Sequence, residues 1–287
     1  MFPPRFDYRA PRSLEEALAL LAELGREARP LAGGQSLIPL LKLRAARPSC
    51  LVDLRYLGLD ALGEEDGRLV VGATVTHAAL ERSPLVRDRY PLLHDAACVI
   101  ADPLVRNLGT VGGSAAHADP AGDWGPVLLA ARPVLVAAGP AGEREIPAEG
   151  FFVGSFETAL APEELLVRVV FPRRARGGGA YHKLRRRVGD FATVGVAVDL
   201  ALDEAGAIEH CGIGMSGVGL SYVRAAKAEE HLRGRRPDRA ALRRAAEIAA
   251  EEVHPVSDHR GSARYKRELV RVFTLRGLER SLERASA

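Results

Sequence analysis

The residues best suited to chemistry here are two short glycine-rich stretches, Ala32-Gly33-Gly34-Gln35-Ser36 and Thr110-Val111-Gly112-Gly113-Ser114. Paired glycines lack a Cβ, so backbone N–H groups can close on an anion. Each pair stands beside a hydroxyl residue, Ser36 in one and Thr110 or Ser114 in the other. The first stretch follows a predicted strand and opens a predicted helix, where the helix dipole also favours negative charge. Either stretch alone reads as an ordinary tight turn. Two of them in separate units suit a diphosphate held in the crevice between those units. Neither contains lysine and the pattern GxxxxGK[ST] is absent, which argues against a P-loop nucleotidase. A neutral amide cradle suits a bound, unreacting pyrophosphate such as that of a dinucleotide cofactor.

A third glycine pattern, Gly212-Ile213-Gly214-Met215-Ser216-Gly217, spells GxGxxG. A dinucleotide fingerprint belongs at the first strand–helix turn of a chain and needs an acid about 20 residues on. This segment runs on as Val218-Gly219-Leu220 and reads instead as a glycine-rich strand lying close to a neighbour. Cys50, Cys98 and Cys211 are three, far apart and in no CxxC pair. That count fits buried thiols in a reducing, cytoplasmic setting and is too small for an iron–sulfur cluster, which takes about four thiolates. The histidines form no HExxH, and no nucleophile–base pair or metal-ligand spacing is visible.

Around these residues lies an ordinary soluble composition, with 47% apolar and 27% charged residues in 287. That length allows two or three domains. A net charge of +3 gives no reason to expect nucleic acid. The runs Arg173-Arg174, Arg185-Arg186-Arg187 and Arg233 to Arg236 read as solvated loops or as a docking surface for a partner. No apolar run reaches the ~20 residues of a membrane span, and the first residues carry no apolar signal core.

A first α/β unit spans 1–55. Ser13 and Glu16 have capping-box spacing before the helical pattern Ala17, Leu18, Leu20, Leu21 and Leu24, which Gly25 stops. Pro30 to Ala32 and Cys50 to Leu54 read as short strands, with a helix over Ile38 to Leu43 between them. A second unit spans 56–172, with strands at Arg68 to Ala73, Val134 to Ala138 and Leu166 to Pro172 and helices at His77 to Glu81 and Pro91 to Ile100. Arg173 to Gly179 reads as a linker. The third unit, 178–287, has strands at Tyr181 to Arg187, Thr193 to Leu202 and Ile208 to Gly217. Two amphipathic helices follow, Arg239 to Val253 and Ser262 to Arg280. Strands followed by helices indicate an antiparallel α+β domain.

At its motifs the sequence resembles the medium, FAD-binding subunit of the xanthine dehydrogenase and carbon monoxide dehydrogenase (molybdenum hydroxylase) family. Four segments carry the resemblance: Ala32 to Ser36; Ile100-Ala101-Asp102-Pro103-Leu104-Val105-Arg106-Asn107-Leu108-Gly109-Thr110-Val111-Gly112-Gly113; Ala118-Asp119-Pro120-Ala121-Gly122-Asp123; and Tyr181 to Ala192. The resemblance implies an α+β protein of three domains. Two form a PCMH-type (vanillyl-alcohol-oxidase-like) FAD-binding fold, and the third is an antiparallel sheet with helices that covers the flavin side. It implies that the pyrophosphate is held by Pro30-Leu31-Ala32-Gly33-Gly34-Gln35-Ser36-Leu37 and by Thr110-Val111-Gly112-Gly113-Ser114. It implies that Ile100 and Leu166 line the isoalloxazine, that Lys183 contacts the ring and that Asp123 binds the polar sugar-side chain.

Each role has a plain alternative: core packing for Ile100 and Leu166, a helix cap for Asp123, a surface charge for Lys183. Phe191 stands where relatives often have a tyrosine near the flavin, and Gln35 where many have histidine. Partners are implied too: a large subunit with a molybdenum–pterin cofactor, and a small subunit with two [2Fe–2S] clusters feeding FAD here, assembled as a dimer of heterotrimers. A free-standing FAD oxidoreductase of the same fold, or a flavin-free scaffold subunit, are the alternatives.

Overall fold

The computed structural model describes residues 2–287. Its first unit contains β1 (Asp7–Arg9), α1 (Leu14–Leu24), β2 (Ala28–Leu31), α2 (Leu37–Lys42) and β3 (Cys50–Asp53). The Ser13 hydroxyl caps α1 by accepting from Glu16 N, and Glu16 reaches back to accept from Arg12 N at 2.9 Å. That is one residue earlier than the usual capping box. The three strands form a parallel sheet in the order β1-β3-β2. β1 was not expected, because three exposed polar residues carry no periodic signal.

The second unit contains β4 (Leu62–Glu65), β5 (Arg68–Gly72), α3 (His77–Arg82), α4 (Pro84–Arg89), α5 (Pro91–Val99), α6 (Pro103–Arg106), α7 (Val111–His117) and α8 (Trp124–Ala131). It continues with β6 (Val134–Gly139), β7 (Gly142–Pro147), α9 (Ala148–Phe151), a small hairpin of β8 (Phe152–Gly154) and β9 (Glu157–Thr158), and β10 (Leu165–Phe171). Its antiparallel sheet runs β4-β5-β10-β6-β7. The pleat divides labour along β6. Val136 and Ala138 pack with Ala17, Leu21, Cys50 and Val52 of the first unit. Leu135 and Ala137 face the core built on Leu92, Trp124 and Leu128. One sheet therefore serves both units.

The third unit is a sheet of β11 (Gly177–Leu184), β12 (Val194–Leu202), β13 (Ile208–Ser216) and β14 (Val223–Arg224), with α10 (Ala226–Leu232), α11 (Arg239–Glu251) and α12 (Ala263–Ser286). Residues 177–179 are not linker: they open β11. A Cβ at Gly178 would lie 2.1 Å from the Ser281 carbonyl, so these glycines serve the close approach of α12.

Directly paired residues share a face in an antiparallel sheet. One face of this sheet carries Val194, Val196, Val198 and Leu200 against the three helices. The other carries Tyr181 opposite Ala197 opposite Gly214, and Lys183 opposite Gly195 opposite Ser216. That small-residue face meets α8. A Cβ at Gly212 would sit 1.9 Å from the Ala130 carbonyl, and one at Gly214 2.1 Å from that of Pro126. The GxGxxG is thus a close-packing strand, as its sequence context indicated. Arg284 ties α12 to Asp95 of α5, and Arg132 ties the end of α8 to buried Glu229 of α10.

Gly212→Ala is expected to cost about 2 kcal/mol or more, because the clash is with backbone that cannot rotate away. Urea unfolding of the variant would measure it, and an unchanged midpoint would contradict this packing.

Candidate functional site: two bends and a buried carboxylate

The two glycine bends lie against each other. A Cβ on Gly33 would stand 1.9 Å from the Leu108 carbonyl oxygen and 2.8 Å from Gly109 Cα, and one on Gly113 would stand 3.5 Å from Ala32 Cβ. Gly33 is required for this backbone-on-backbone approach. Gly34 is required for its turn, at φ +74°.

The bends differ in what their amides do. Among the described residues, the N–H groups of Gly33, Gly34, Gln35 and Ser36 donate to no protein acceptor. Successive backbone amides without protein acceptors are the donors that phosphate-binding turns use, and here four of them stand beside the Leu108–Gly109 backbone. Helix α2 that follows has only six residues, so the donors matter more here than a dipole.

The second bend corrects the expectation of a matching cradle. Val111 N donates to Val75 O at 3.0 Å, Gly112 N to Ala73 O at 2.9 Å, Gly113 N to Thr110 Oγ1 at 3.1 Å and Ser114 N to Thr110 O at 3.0 Å. Thr110 through Ser114 are the capped start of α7, not an open turn. Gly112 is a packing glycine, since its Cβ would fall 2.5 Å from Ala73 Cβ. What the second bend leaves free is the hydroxyl of Ser114, which has no protein partner, as is also true of Ser36.

The segment leading to this bend is rigid for identifiable reasons. Asp102 caps α6, its Oδ1 accepting from Leu104 N and Val105 N. Arg106 grips Glu81 with two nitrogens and donates with a third to the Ile100 carbonyl at 3.0 Å. Ala101 is held at φ +44°, a conformation that costs a non-glycine residue about 1 kcal/mol or more. Ile100 is 7% exposed and Leu166 5%, both within the core of the second unit.

Asp123 precedes α8, yet its side chain does not cap that helix. It is buried and turned to the third unit. Oδ1 accepts from the Tyr181 hydroxyl at 2.7 Å and Oδ2 from Lys183 Nζ at 2.9 Å. Burial pushes the Asp123 carboxyl above its usual range, opposed by Lys183 and the two hydrogen bonds. Burial, then the Asp123 charge, pushes the Tyr181 phenol well above its usual value, which keeps it a donor.

Lys183 is not a surface charge: its side chain is 2% exposed, and Nζ also lies 3.4 Å from the Val99 carbonyl. Arg185 donates to the same carbonyl. Lys183 is thereby fixed beside the Val99–Ile100 junction. Phe191 is half-exposed on the loop after β11, which is tethered where Ala192 N donates to Ala121 O.

Tyr181 and His77 were not picked out from sequence. Strand periodicity held the signal for Tyr181, two residues from Lys183 and so on the same face. His77 is buried and accepts at Nδ1 from the Trp124 indole N–H at 3.1 Å. Of the three thiols, Cys50 and Cys211 are buried. Cys98 is only partly so, with Sγ 3.7 Å from His94 Nε2.

The donor set fits a dinucleotide: free amides for a diphosphate, and a buried carboxylate and ammonium for polar and ring atoms. Comparison with known proteins decides the family. Residues 4–174 match the model of the FAD-binding domain in molybdopterin dehydrogenase, and residues 179–281 match that of the CO dehydrogenase flavoprotein C-terminal domain. The chain belongs to the family of FAD-binding medium subunits of molybdenum dehydrogenases. It is 40% identical over 288 residues to the carbon monoxide dehydrogenase medium chain of Hydrogenophaga pseudoflava, covering 100% of both chains. It is 35% identical to the glyceraldehyde dehydrogenase medium chain of Sulfolobus acidocaldarius, over 97% of this chain and 99% of the relative.

Among solved structures, the carbon monoxide dehydrogenase from Hydrogenophaga pseudoflava lacking the Mo-pyranopterin moiety superposes with a TM-score of 0.95 at 41% identity, over 99% of both chains. Quinoline 2-oxidoreductase from Pseudomonas putida 86 gives 0.91 at 36%, over all of both chains. This medium subunit is therefore an FAD-binding part of an oxidoreductase. Its α+β architecture of an FAD-binding fold followed by an antiparallel C-terminal domain is the one that the resemblance implied.

One consequence concerns pH. Burial, then the charge of Arg106, lowers the His77 pKa from 6.5 to about 4. A folded-state pKa below the unfolded one contributes stability that is present above pH 6.5 and lost as pH falls through about 4. The stake is about 3 kcal/mol at most. His77→Gln keeps an acceptor for Trp124 without the titration. Wild type is expected to lose more stability than this variant between pH 6.5 and 4 in parallel denaturant titrations, and parallel curves would contradict it.

Proposed function

We propose that this subunit is an electron relay, taking electrons from two [2Fe–2S] clusters in a small subunit and passing them from its flavin to an external acceptor. In this reading a large subunit with a molybdenum–pterin cofactor oxidises the substrate. The three chains pair as a dimer of heterotrimers in the cytoplasm, and no helix among the described residues is long and apolar enough to cross a membrane. The observation that carries it is the run of free amides at Gly33 to Ser36, walled by Leu108 and Gly109. The named relatives act on substrates as different as carbon monoxide and glyceraldehyde. A part common to all of them is suited to a step that does not depend on the substrate.

When bound, FAD supplies the exchange of electrons singly or in pairs. The chain supplies position and charge. The first bend, Pro30 to Leu37, binds the diphosphate through its amides and the Ser36 hydroxyl. The second, Thr110 to Ser114, braces it and offers Ser114. Asp123 accepts from sugar-chain hydroxyls at a buried site. Ile100 and Leu166 give the ring an apolar wall, and Phe191 covers it from the third unit. Lys183 would hold a positive charge beside the bound ring, at the Val99 carbonyl, and so favour added negative charge there. Gln35 presents a neutral amide where relatives often have histidine.

Gly33→Val is expected to abolish flavin uptake, since its side chain would drive the bends apart. Flavin absorbance per chain after purification with FAD reports this. Ser114→Ala, by contrast, is expected to keep FAD with an affinity reduced by less than about tenfold, consistent with loss of one hydrogen bond. Full flavin content in Gly33→Val would remove the diphosphate cradle from the reading. A purified chain that turns over an organic substrate alone would replace the relay with a self-contained oxidoreductase.

A further inference from the structure

We infer that Tyr181 is a positioning residue for the flavin site, with Gly195 as the steric key that lets it act. This rests on the proposal that FAD binds at Asp123 and Lys183. Tyr181 lies on β11 of the third unit, 5% exposed, and its hydroxyl donates to Asp123 Oδ1 at 2.7 Å. Lys183, two residues on, holds Oδ2 at 2.9 Å. The carboxylate is thus gripped at both oxygens by one strand, and its plane is fixed by that strand rather than by its own helix. A buried carboxylate with one donor removed would rotate or recruit water, and Lys183 would follow it.

The hydroxyl fits because the neighbouring strand carries no side chain beneath it. A Cβ at Gly195 would lie 2.4 Å from Tyr181 Oη and 2.6 Å from the buried hydroxyl of Ser216. Gly195 is a strand-interior residue, where glycine weakens the strand. Its conformation does not call for glycine, since it is not among the positive-φ residues. The space above it is occupied by the tyrosine hydroxyl. A strand of the third unit therefore sets the geometry of a carboxylate in the second, and through it the charge beside Val99 and Ile100.

The test uses the full-length chain with added FAD, comparing wild type, Tyr181→Phe, Gly195→Ala and the double variant. Three quantities are read: FAD dissociation constant, reduction potential of the bound flavin, and melting temperature without FAD. Tyr181→Phe is expected to loosen FAD roughly tenfold, the effect of one buried charge-assisted hydrogen bond. It is also expected to lower the potential, because the Asp123 charge is then less compensated. Gly195→Ala is expected to do the same by displacing the hydroxyl. The double variant should lose no more affinity or potential than Tyr181→Phe, since the Cβ then meets no hydroxyl of Tyr181, while its remaining clash with Ser216 Oγ is read in the melting temperature.

A lower melting temperature with unchanged affinity and potential would mean a merely structural tyrosine and overturn the inference. So would additive losses of affinity and potential in the double variant. A wild-type chain that binds no FAD would overturn the underlying flavin reading, and this inference with it.

Discussion

Everything at the candidate site depends on one contact between main chains: Gly33 lying on the carbonyl of Leu108. A side chain cannot be accommodated there, since even a methyl group would overlap the carbonyl oxygen. Because the backbones touch, the free amides of the first bend, on half-buried residues, lie next to the second bend and not on an isolated loop. A donor surface partly shielded from water binds an anion more strongly than the same surface fully solvated, because competition from water is reduced and the local dielectric is lower. The contact also explains why the run from Asp102 to Gly113 is so heavily braced. Its Asp102 cap and the Arg106 clamp fix a loop that must offer a carbonyl at one place.

The same logic orders the rest of the molecule. The sheet of the second unit is shared, one face for the first unit and one for the helices α5 and α8. The third unit then rests its small-residue face on α8 and α5. Glycines at 178, 212 and 214 let backbones approach where larger residues would hold the layers apart. Ion pairs between units, such as Arg284 with Asp95 and Arg132 with Glu229, add direction to contacts that apolar packing alone leaves degenerate. The buried group of Asp123, Lys183 and Tyr181 lies at that junction, so it is assembled only when the second and third units are docked.

Much of this was legible in the sequence. Periodicity and capping placed α1, α5, α11 and α12 and the central strands within a residue or a few of their observed ends, except that α12 runs six residues further. The run from Ile100 to Gly113 identified the family because so many of its residues have fixed duties: Asp102 caps, Arg106 clamps, Gly109 and Gly112 pack. The absence of lysine at both bends correctly separated them from a P-loop. The small elements escaped: β1, β4, β7, β14, α4 and α6 are too short or too polar to show a period. The glycines of 177–179 read as linker because glycine marks both loops and close-packed strands, and only the neighbour tells which.

The sequence by itself determined where the turns, caps and amphipathic faces fall, since these follow from the stereochemistry of neighbouring residues. Tertiary structure alone decided which amides remain free. Gly112 and Val111 look as available as Gly33 and Gly34 until the carbonyls of Ala73 and Val75 are brought to them. It likewise decided that Asp123 answers to Tyr181 and Lys183 rather than to its own helix, across 58 and 60 residues of chain. A hydrogen bond is chosen by distance through space. Local sequence fixes what each group can donate or accept, and only the docking of layers fixes what stands opposite.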